Sequence, residues 1–128
     1  MNVSTARQLA DLIRQTAFDA HTFLRHGHNE TVYENSLRNR LRKKGLTVEQ
    51  QSPIAVSDED GSPLGEFFAD LVVEREFIVE LKAVRALVDE HTAQILGYLR
   101  ASRVEHGMLI NFGSPRIQFQ KYILRQTD

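Results

Sequence analysis

Charged residues lie inside two neighbouring stretches that are otherwise hydrophobic, and this limits how the chain can fold. The first stretch is FFADLVV at residues 67–73, and the second is FIVELKA at residues 77–83. Both have the composition of buried strands, yet they contain Asp70, Glu80 and Lys82. Burying an isolated carboxylate or ammonium is costly unless it is paired or bound to a metal ion. The pattern therefore predicts two adjacent strands that carry a charged site.

The spacing of Glu80 and Lys82 places them on one face of their strand, because side chains alternate and Leu81 points to the other face. Carboxylates from neighbouring strands suit Mg²⁺, or Mn²⁺ as a substitute, when positions stay open for water and a phosphate. The Leu81 carbonyl is a further candidate ligand, and Lys82 can orient water or stabilise developing negative charge. The same residues also suit a salt-bridged cluster on a hydrated sheet face, so the motif alone leaves both interpretations open.

Length and composition exclude several other classes of protein. With 128 residues, the chain is long enough for one domain, residues 1–128, with a core of two or three layers. The absence of cysteine excludes disulfides, thiolate zinc sites and a cysteine nucleophile. No apolar run approaches the roughly 20 residues that span a bilayer, and no signal peptide is evident, so we expect a cytoplasmic protein. The formal net charge is −1, so contact with nucleic acid requires a local basic patch or a metal ion.

Hydrophobic periodicity and turn residues predict eight elements in the order α-α-β-β-β-α-β-β. The predicted helices cover about residues 4–26, 29–44 and 89–102, and the predicted strands about 46–56, 66–74, 76–83, 108–112 and 116–124. Pro53 makes the first strand an edge strand, since proline cannot donate to a central ladder. We expect an α/β fold with a mixed central sheet flanked by helices.

Two pairs of residues share a helix face. Glu30 and Tyr33 are three apart on the second helix, and Gln94 and Tyr98 are four apart on the third. Each pair also has a structural explanation, because an acid favours a helix N-terminus and a tyrosine often belongs to the core. Spacing alone does not decide between the two.

The end of the second helix is strongly basic and could contact the phosphates of a nucleic acid. The residues concerned are Arg38, Arg42, Lys43 and Lys44. The alternative is a solvated helix face, which is favourable because cations stabilise a helix C-terminus.

Taken in order, these segments resemble the GxxExxY family, a small-protein branch of the PD-(D/E)xK nuclease superfamily. The motif that names the family is matched by GHNETVY at residues 27–33. The resemblance spans about residues 7–124 and continues through YENSL (33–37), LRKKGL (41–46), VEQQ (48–51), ADLVV (69–73), VELKA (79–83) and INFG (110–113).

The resemblance implies a restriction-endonuclease-like core with a Mg²⁺ site. In the superfamily the strand Asp, the Glu of the E-x-K element and often an early-helix Glu bind the metal, and the Lys assists the water. Those roles would fall on Asp70, Glu80, Glu30 and Lys82. QILGY at residues 94–98 resembles the Gln-x-x-x-Tyr element of recombination-type exonucleases, so Gln94 and Tyr98 would line the site. Ala69 departs from the superfamily pattern, which has a proline there that contacts no metal.

The function implied by this resemblance is a Mg²⁺-dependent nuclease that hydrolyses DNA in preference to RNA, in repair, recombination or defence. The alternative is a catalytically inactive nuclease-like module that binds nucleic acid or protein. A two-carboxylate glycosidase fits poorly, because the chain has no Trp and only 8% aromatic residues to line a sugar cleft. A chain of this size has a limited surface for DNA, and a homodimer would enlarge it.

Overall fold

The computed structural model describes residues 3–126, and its side chains from residue 5 onward. The elements in chain order are α1 (Val3–Leu24), α2 (Glu30–Lys43), β1 (Val48–Ser57), β2 (Pro63–Val73), β3 (Phe77–Lys82), α3 (Asp89–Ser102), β4 (His106–Asn111) and β5 (Gln118–Ile123). The predicted order and the α/β fold class are confirmed. Within residues 3–126, no helix is both long and apolar enough to cross a membrane.

The five strands form one mixed sheet in the order β1-β2-β3-β4-β5. β3 and β4 are parallel, and the other neighbouring pairs are antiparallel. Parallel strands need a crossover connection, and α3 supplies it between β3 and β4. β1 is an edge strand, as Pro53 predicts.

Helices cover both faces of the sheet, and each face has its own hydrophobic cluster. On one face α1 and α2 contribute Ile13 and Leu37, which belong to the same cluster as Leu81 of β3. On the other face Ile95 and Leu99 of α3 belong to a cluster with strand residues. Each fully buried side chain of this size contributes roughly 1.5–3 kcal/mol. The sheet is therefore held firmly between its two helical layers.

The inward face of β2 changes sides at Asp70. The pairing of β1 with β2 skips the position where Gln51 would oppose Asp70, and Gln51 adopts a left-handed backbone with φ of 52°. On one side of this irregularity, Leu71 packs in the cluster under α1 and α2. On the other side, Ala69 and Ile54 pack in the cluster under α3. Asp70 therefore stands where the two strands twist from one layer to the other.

β2 also separates from β3 at this point. Its pairing with β3 is confined to residues 71–73, and Leu71 lies opposite Val79. β3 continues beside β4 as far as Lys82, which lies opposite Asn111. The remainder of β2 pairs with β1 alone, and we call this two-stranded hairpin, residues 52–69, the arm. The separation leaves a gap between β2 and β3 at Asp70 and Glu80.

Tyr33 holds the connection between α1 and α2. It is fully buried, and its ring stacks on Phe112 with centroids 4.8 Å apart. Its hydroxyl donates to the Arg25 carbonyl at 2.5 Å and accepts from the His28 amide at 3.1 Å. The connection also needs Gly27, whose φ is 115°. Tyr33 therefore has a structural role.

Candidate active site

The carboxylates of Asp70 and Glu80 bridge the gap between β2 and β3. The Leu81 amide donates to Oδ2 of Asp70 at 2.8 Å, and the Asp70 amide donates to Oε1 of Glu80 at 3.3 Å. In a regular antiparallel pair, such amides would bind carbonyl groups of the opposite strand. Side-chain oxygens replace those carbonyls here, so the two acids lie side by side.

Glu80 lies in the most demanding environment of the site. It is 3% exposed. Burial, followed by the hydrogen bond and the negative charge of Asp70, raises the pKa of Glu80 to about 10, although the positive charge of Lys82 opposes this. Without a cation, Glu80 therefore keeps its proton at neutral pH. A cation at the site would favour the ionised form instead.

Glu30 brings a third carboxyl group to the gap from the first turn of α2. Burial raises the pKa of Glu30, and the negative charge of Asp70 raises it further, whereas the positive charge of Lys82 lowers it. These electrostatic interactions show that Glu30 lies close to both residues. The gap therefore gathers acids from three elements, β2, β3 and α2.

Residues of α3 approach the site from the other face of the sheet. Nζ of Lys82 donates to Oε1 of Gln94 at 2.9 Å. Tyr98 is largely buried, and burial followed by the negative charge of Glu80 raises the pKa of its hydroxyl. Gln94 and Tyr98 thus lie beside Lys82 and Glu80. Because the strands separate here, residues of α2 and of α3 meet around the same acids.

Glu34, Gln50 and Gln51 are additional site residues that sequence reasoning did not assign. Nε2 of Gln51 donates to Oε1 of Glu34 at 3.1 Å and to Oδ1 of Asp70 at 3.2 Å. Nε2 of Gln50 donates to Oε2 of Glu34 at 2.5 Å. Burial raises the pKa of Glu34, and the two glutamines oppose the increase. One signal for Glu34 was available, since it follows Glu30 by four residues and so shares its helix face.

Three of the four basic residues of α2 have partners within the protein. Arg38 donates to Oε1 of Gln50 at 2.6 Å, Nη2 of Arg42 donates to the Val48 carbonyl at 2.7 Å, and Nζ of Lys44 donates to the Thr16 hydroxyl at 2.7 Å. Lys43 is exposed. Arg38 is thereby linked to the site through Gln50, while Arg42 and Lys44 join α2 to β1 and α1. Contact of these residues with nucleic acid stays a prediction.

The donor atoms at the gap suit a hard divalent cation, which prefers oxygen ligands. Among residues 3–126, no three acidic, His or Cys side chains are arranged as a ready-made metal site. The reason is visible in the hydrogen bonds, because the oxygens of Asp70 and Glu80 are directed at backbone amides. In a strand, the N–H and C=O of one residue point the same way, so the Leu81 carbonyl also faces the gap. Asp70, Glu80, Leu81 and Glu30 are the residues that could hold a cation there.

A mixed sheet that opens at an aspartate, with Glu-x-Lys on the next strand, defines a nuclease core of the restriction-endonuclease type. The chain belongs to the PD-(D/E)XK nuclease superfamily, whose family model matches residues 7–123. Nucleases of this superfamily generally depend on divalent metal ions, and they point to a nucleic-acid substrate. A search of curated proteins gave no match.

Solved structures with a similar fold include the one titled "Crystal structure of SSO0001". It is 17% identical in sequence, with a TM-score of 0.60, and the match covers 76% of this chain and 50% of that chain. The chain thus spans about half the length of this structure. At this identity, the similarity concerns the fold.

Proposed function

We propose that the protein is a Mg²⁺-dependent nuclease, with Mn²⁺ as a working substitute, that hydrolyses phosphodiester bonds of DNA in preference to RNA. One observation carries this proposal: Asp70 and Glu80 lie side by side at the gap, where burial and Asp70 raise the pKa of Glu80 to about 10. An acid pair that keeps a proton at neutral pH is well suited to a cation, which would replace that proton. The superfamily assignment supports the same chemistry.

Each residue of the site has a role in this proposal. Asp70 and Glu80 hold the metal, and the Leu81 carbonyl and Glu30 complete its protein ligands. When bound, the metal polarises the scissile phosphate and supplies an activated water. Lys82, held by Gln94, stabilises the negative charge that develops on the phosphate. The remaining residue, Tyr98, lines the site and orients the substrate.

We further propose that the chain belongs to the GxxExxY branch and acts as one domain, residues 1–128, as a homodimer that enlarges the surface for DNA. Within GHNETVY, the two conserved letters of the motif then serve different purposes. Glu30 lies beside the catalytic acids, whereas Tyr33 secures the connection between α1 and α2. Repair, recombination and defence are the pathways in which such a nuclease would act.

Asp70→Asn tests this function directly. The substitution removes one negative charge and keeps an oxygen that can accept the Leu81 amide, so the fold should persist. We expect cleavage of labelled single-stranded, duplex and branched DNA, and of RNA, to fall by at least about 100-fold with Mg²⁺ or Mn²⁺. Electrophoresis of the products over time measures the effect.

Asp11→Asn is the matched control, since Asp11 is exposed on α1 and the substitution removes the same charge. Cleavage by the wild type should stop in EDTA and should be unchanged in the control variant. If Asp70→Asn cuts as fast as the wild type, the proposal is wrong. If the wild type binds nucleic acid but neither cuts it nor binds Mn²⁺, the inactive binding module is the correct interpretation.

A further inference from the structure

A groove runs between the arm and α3, next to the site. Its volume is about 510 Å³, and it is lined by Ala55, Val56, Ser57, Phe67, Gly97, Arg100, Ala101 and Arg103. Both charged residues in this lining are arginines, although the chain as a whole carries a net charge of −1. A basic groove on a slightly acidic protein attracts a negatively charged ligand.

Phe67 gives the groove an aromatic surface. It lies on the face of the arm that is directed at α3, and its ring centroid is 5.2 Å from that of Tyr98. Its side chain nevertheless remains 47% exposed. Opposite it, Gly97 leaves open space, because an added Cβ would meet no atom within 4 Å. The groove therefore offers a flat apolar ring with free room beside it.

The groove continues directly from the proposed active site. Gln94, Tyr98 and Ala101 follow one another at four and three residues on α3, so they share a helix face. Seven residues of helix rise about 10 Å, at 1.5 Å per residue. A strand that leaves the site past Gln94 and Tyr98 would thus reach the groove within a short distance. Tyr98 contacts the groove through Phe67 and the acids through its proximity to Glu80.

We propose that the groove binds an unpaired stretch of the substrate strand, with a base stacked on Phe67 and with phosphates contacted by Arg100 and Arg103. Every nucleobase has a face that can stack on an aromatic ring, and arginine contacts with the backbone supply the attraction. In a duplex, neighbouring bases already cover those faces. The inference rests on the proposed nuclease function and names its substrate class: single-stranded nucleic acid, or the single-stranded end of a duplex.

Fluorescence anisotropy with labelled 12-mers tests the inference independently of cleavage. The probes are a single-stranded DNA, the RNA of the same sequence and the blunt DNA duplex, all in EDTA so that none is cut. We expect the single strands to bind more tightly than the duplex. Phe67→Leu, which keeps an apolar side chain but loses the ring, should weaken single-strand binding at least about five-fold, whereas Phe67→Tyr should retain it. Comparison of the DNA and RNA arms identifies the preferred sugar.

The chain offers a close control for each change. Phe68 is the next residue, with 48% of its side chain exposed, and strand alternation directs it to the other face of the arm. Phe68→Leu should therefore leave binding unchanged. Arg100→Ala should weaken binding and reduce the slope of log affinity against log salt by about 1, as expected for one lost phosphate contact. Arg7→Ala is its control, since Arg7 is exposed on α1, across the sheet from α3.

Failure of this inference can be distinguished from failure of the nuclease function. If Asp70→Asn abolishes cleavage while Phe67→Leu binds single strands as tightly as Phe68→Leu, the groove is wrongly assigned and the nuclease stands. Equal affinity of the wild type for duplex and single strand would likewise overturn the groove. If the wild type neither cuts nor binds any of the three probes, both proposals fail. Circular dichroism of each variant verifies that it is folded.

Discussion

At the residue scale, Glu80 determines how the protein without metal responds to pH. In the folded protein its pKa is about 10, against 4.5 for an ordinary glutamate. Between these values, the folded state holds a proton that the unfolded state has released, so the free energy of unfolding falls as pH rises. The destabilising effect is absent below about pH 4.5 and complete above about pH 10.

Glu80→Gln should remove this dependence, because a glutamine does not titrate and can still accept the Asp70 amide. In EDTA, we expect the variant to gain stability over the wild type between pH 5 and 9, by up to about 1.4 kcal/mol per pH unit. Urea unfolding at several pH values measures the difference. Glu66→Gln is the control, since Glu66 is exposed on β2. A difference between Glu80→Gln and wild type that stays constant with pH would contradict the assigned pKa.

At the scale of whole elements, sequence patterns located what burial determines and missed what depends on pairing alone. The bounds of α3 agree with the prediction, because acidic residues mark its start and Arg103 ends it in a left-handed conformation. β2 begins at Pro63 instead of residue 66. Its first residues are exposed and pair only with β1, so they show no hydrophobic alternation. β4 begins at His106 instead of residue 108, since its parallel pairing with β3 starts there.

The candidate site divides in the same way. Asp70, Glu80 and Lys82 stand out in sequence because they interrupt apolar strands. The contact of Gln51 with Glu34 could not be predicted, because it requires a skipped pair and a left-handed backbone at a residue other than glycine. Such an irregularity leaves no period in the hydrophobic pattern.

The loop after β4 fixes the segment that follows Lys82. Oδ1 of Asn111 accepts the Val84 amide at 3.0 Å, and Nδ2 of Asn111 donates to the Val84 carbonyl at 2.9 Å. Gly113 approaches the same segment so closely that an added Cβ would lie 2.3 Å from the Val84 nitrogen and 2.4 Å from the Ala83 carbonyl carbon. The position of Lys82 therefore depends on a turn from a different strand.

Gly113→Ala should displace the backbone at Ala83 and Val84 and so move Lys82. We expect a loss of about 1–3 kcal/mol in the free energy of unfolding, the usual cost of overpacking, together with slower cleavage. Urea unfolding and the cleavage assay measure the two effects. Gly65→Ala serves as the control, because a Cβ at Gly65 meets nothing within 4 Å. Equal stability of the two variants would show that the segment yields without cost.

At the scale of the whole molecule, metal binding should stabilise the fold, because ligands that bind only the native state shift the unfolding equilibrium. At a Mn²⁺ concentration of 100 times Kd, the gain is about 2.7 kcal/mol. Asp70→Asn should abolish this gain, while Asp11→Asn should keep it. Since Glu80 must lose its proton, Mn²⁺ should bind more tightly as pH rises towards 9. Calorimetry in two buffers measures affinity and proton release, and saturable binding to Asp70→Asn equal to wild type would contradict the site.

The left-handed residue Gln51 makes the far end of the arm a permissive site for insertions. The turn at residues 58–62 closes on itself, since the Asp58 amide donates to the Ser62 carbonyl at 2.8 Å. Extra residues there leave strand parity intact, because parity is set at Gln51. One extra residue between Gln51 and Ile54 would instead turn Ile54 out of the core. The turn is thus the place to insert a fluorophore or tag that reports on the arm without disturbing the core.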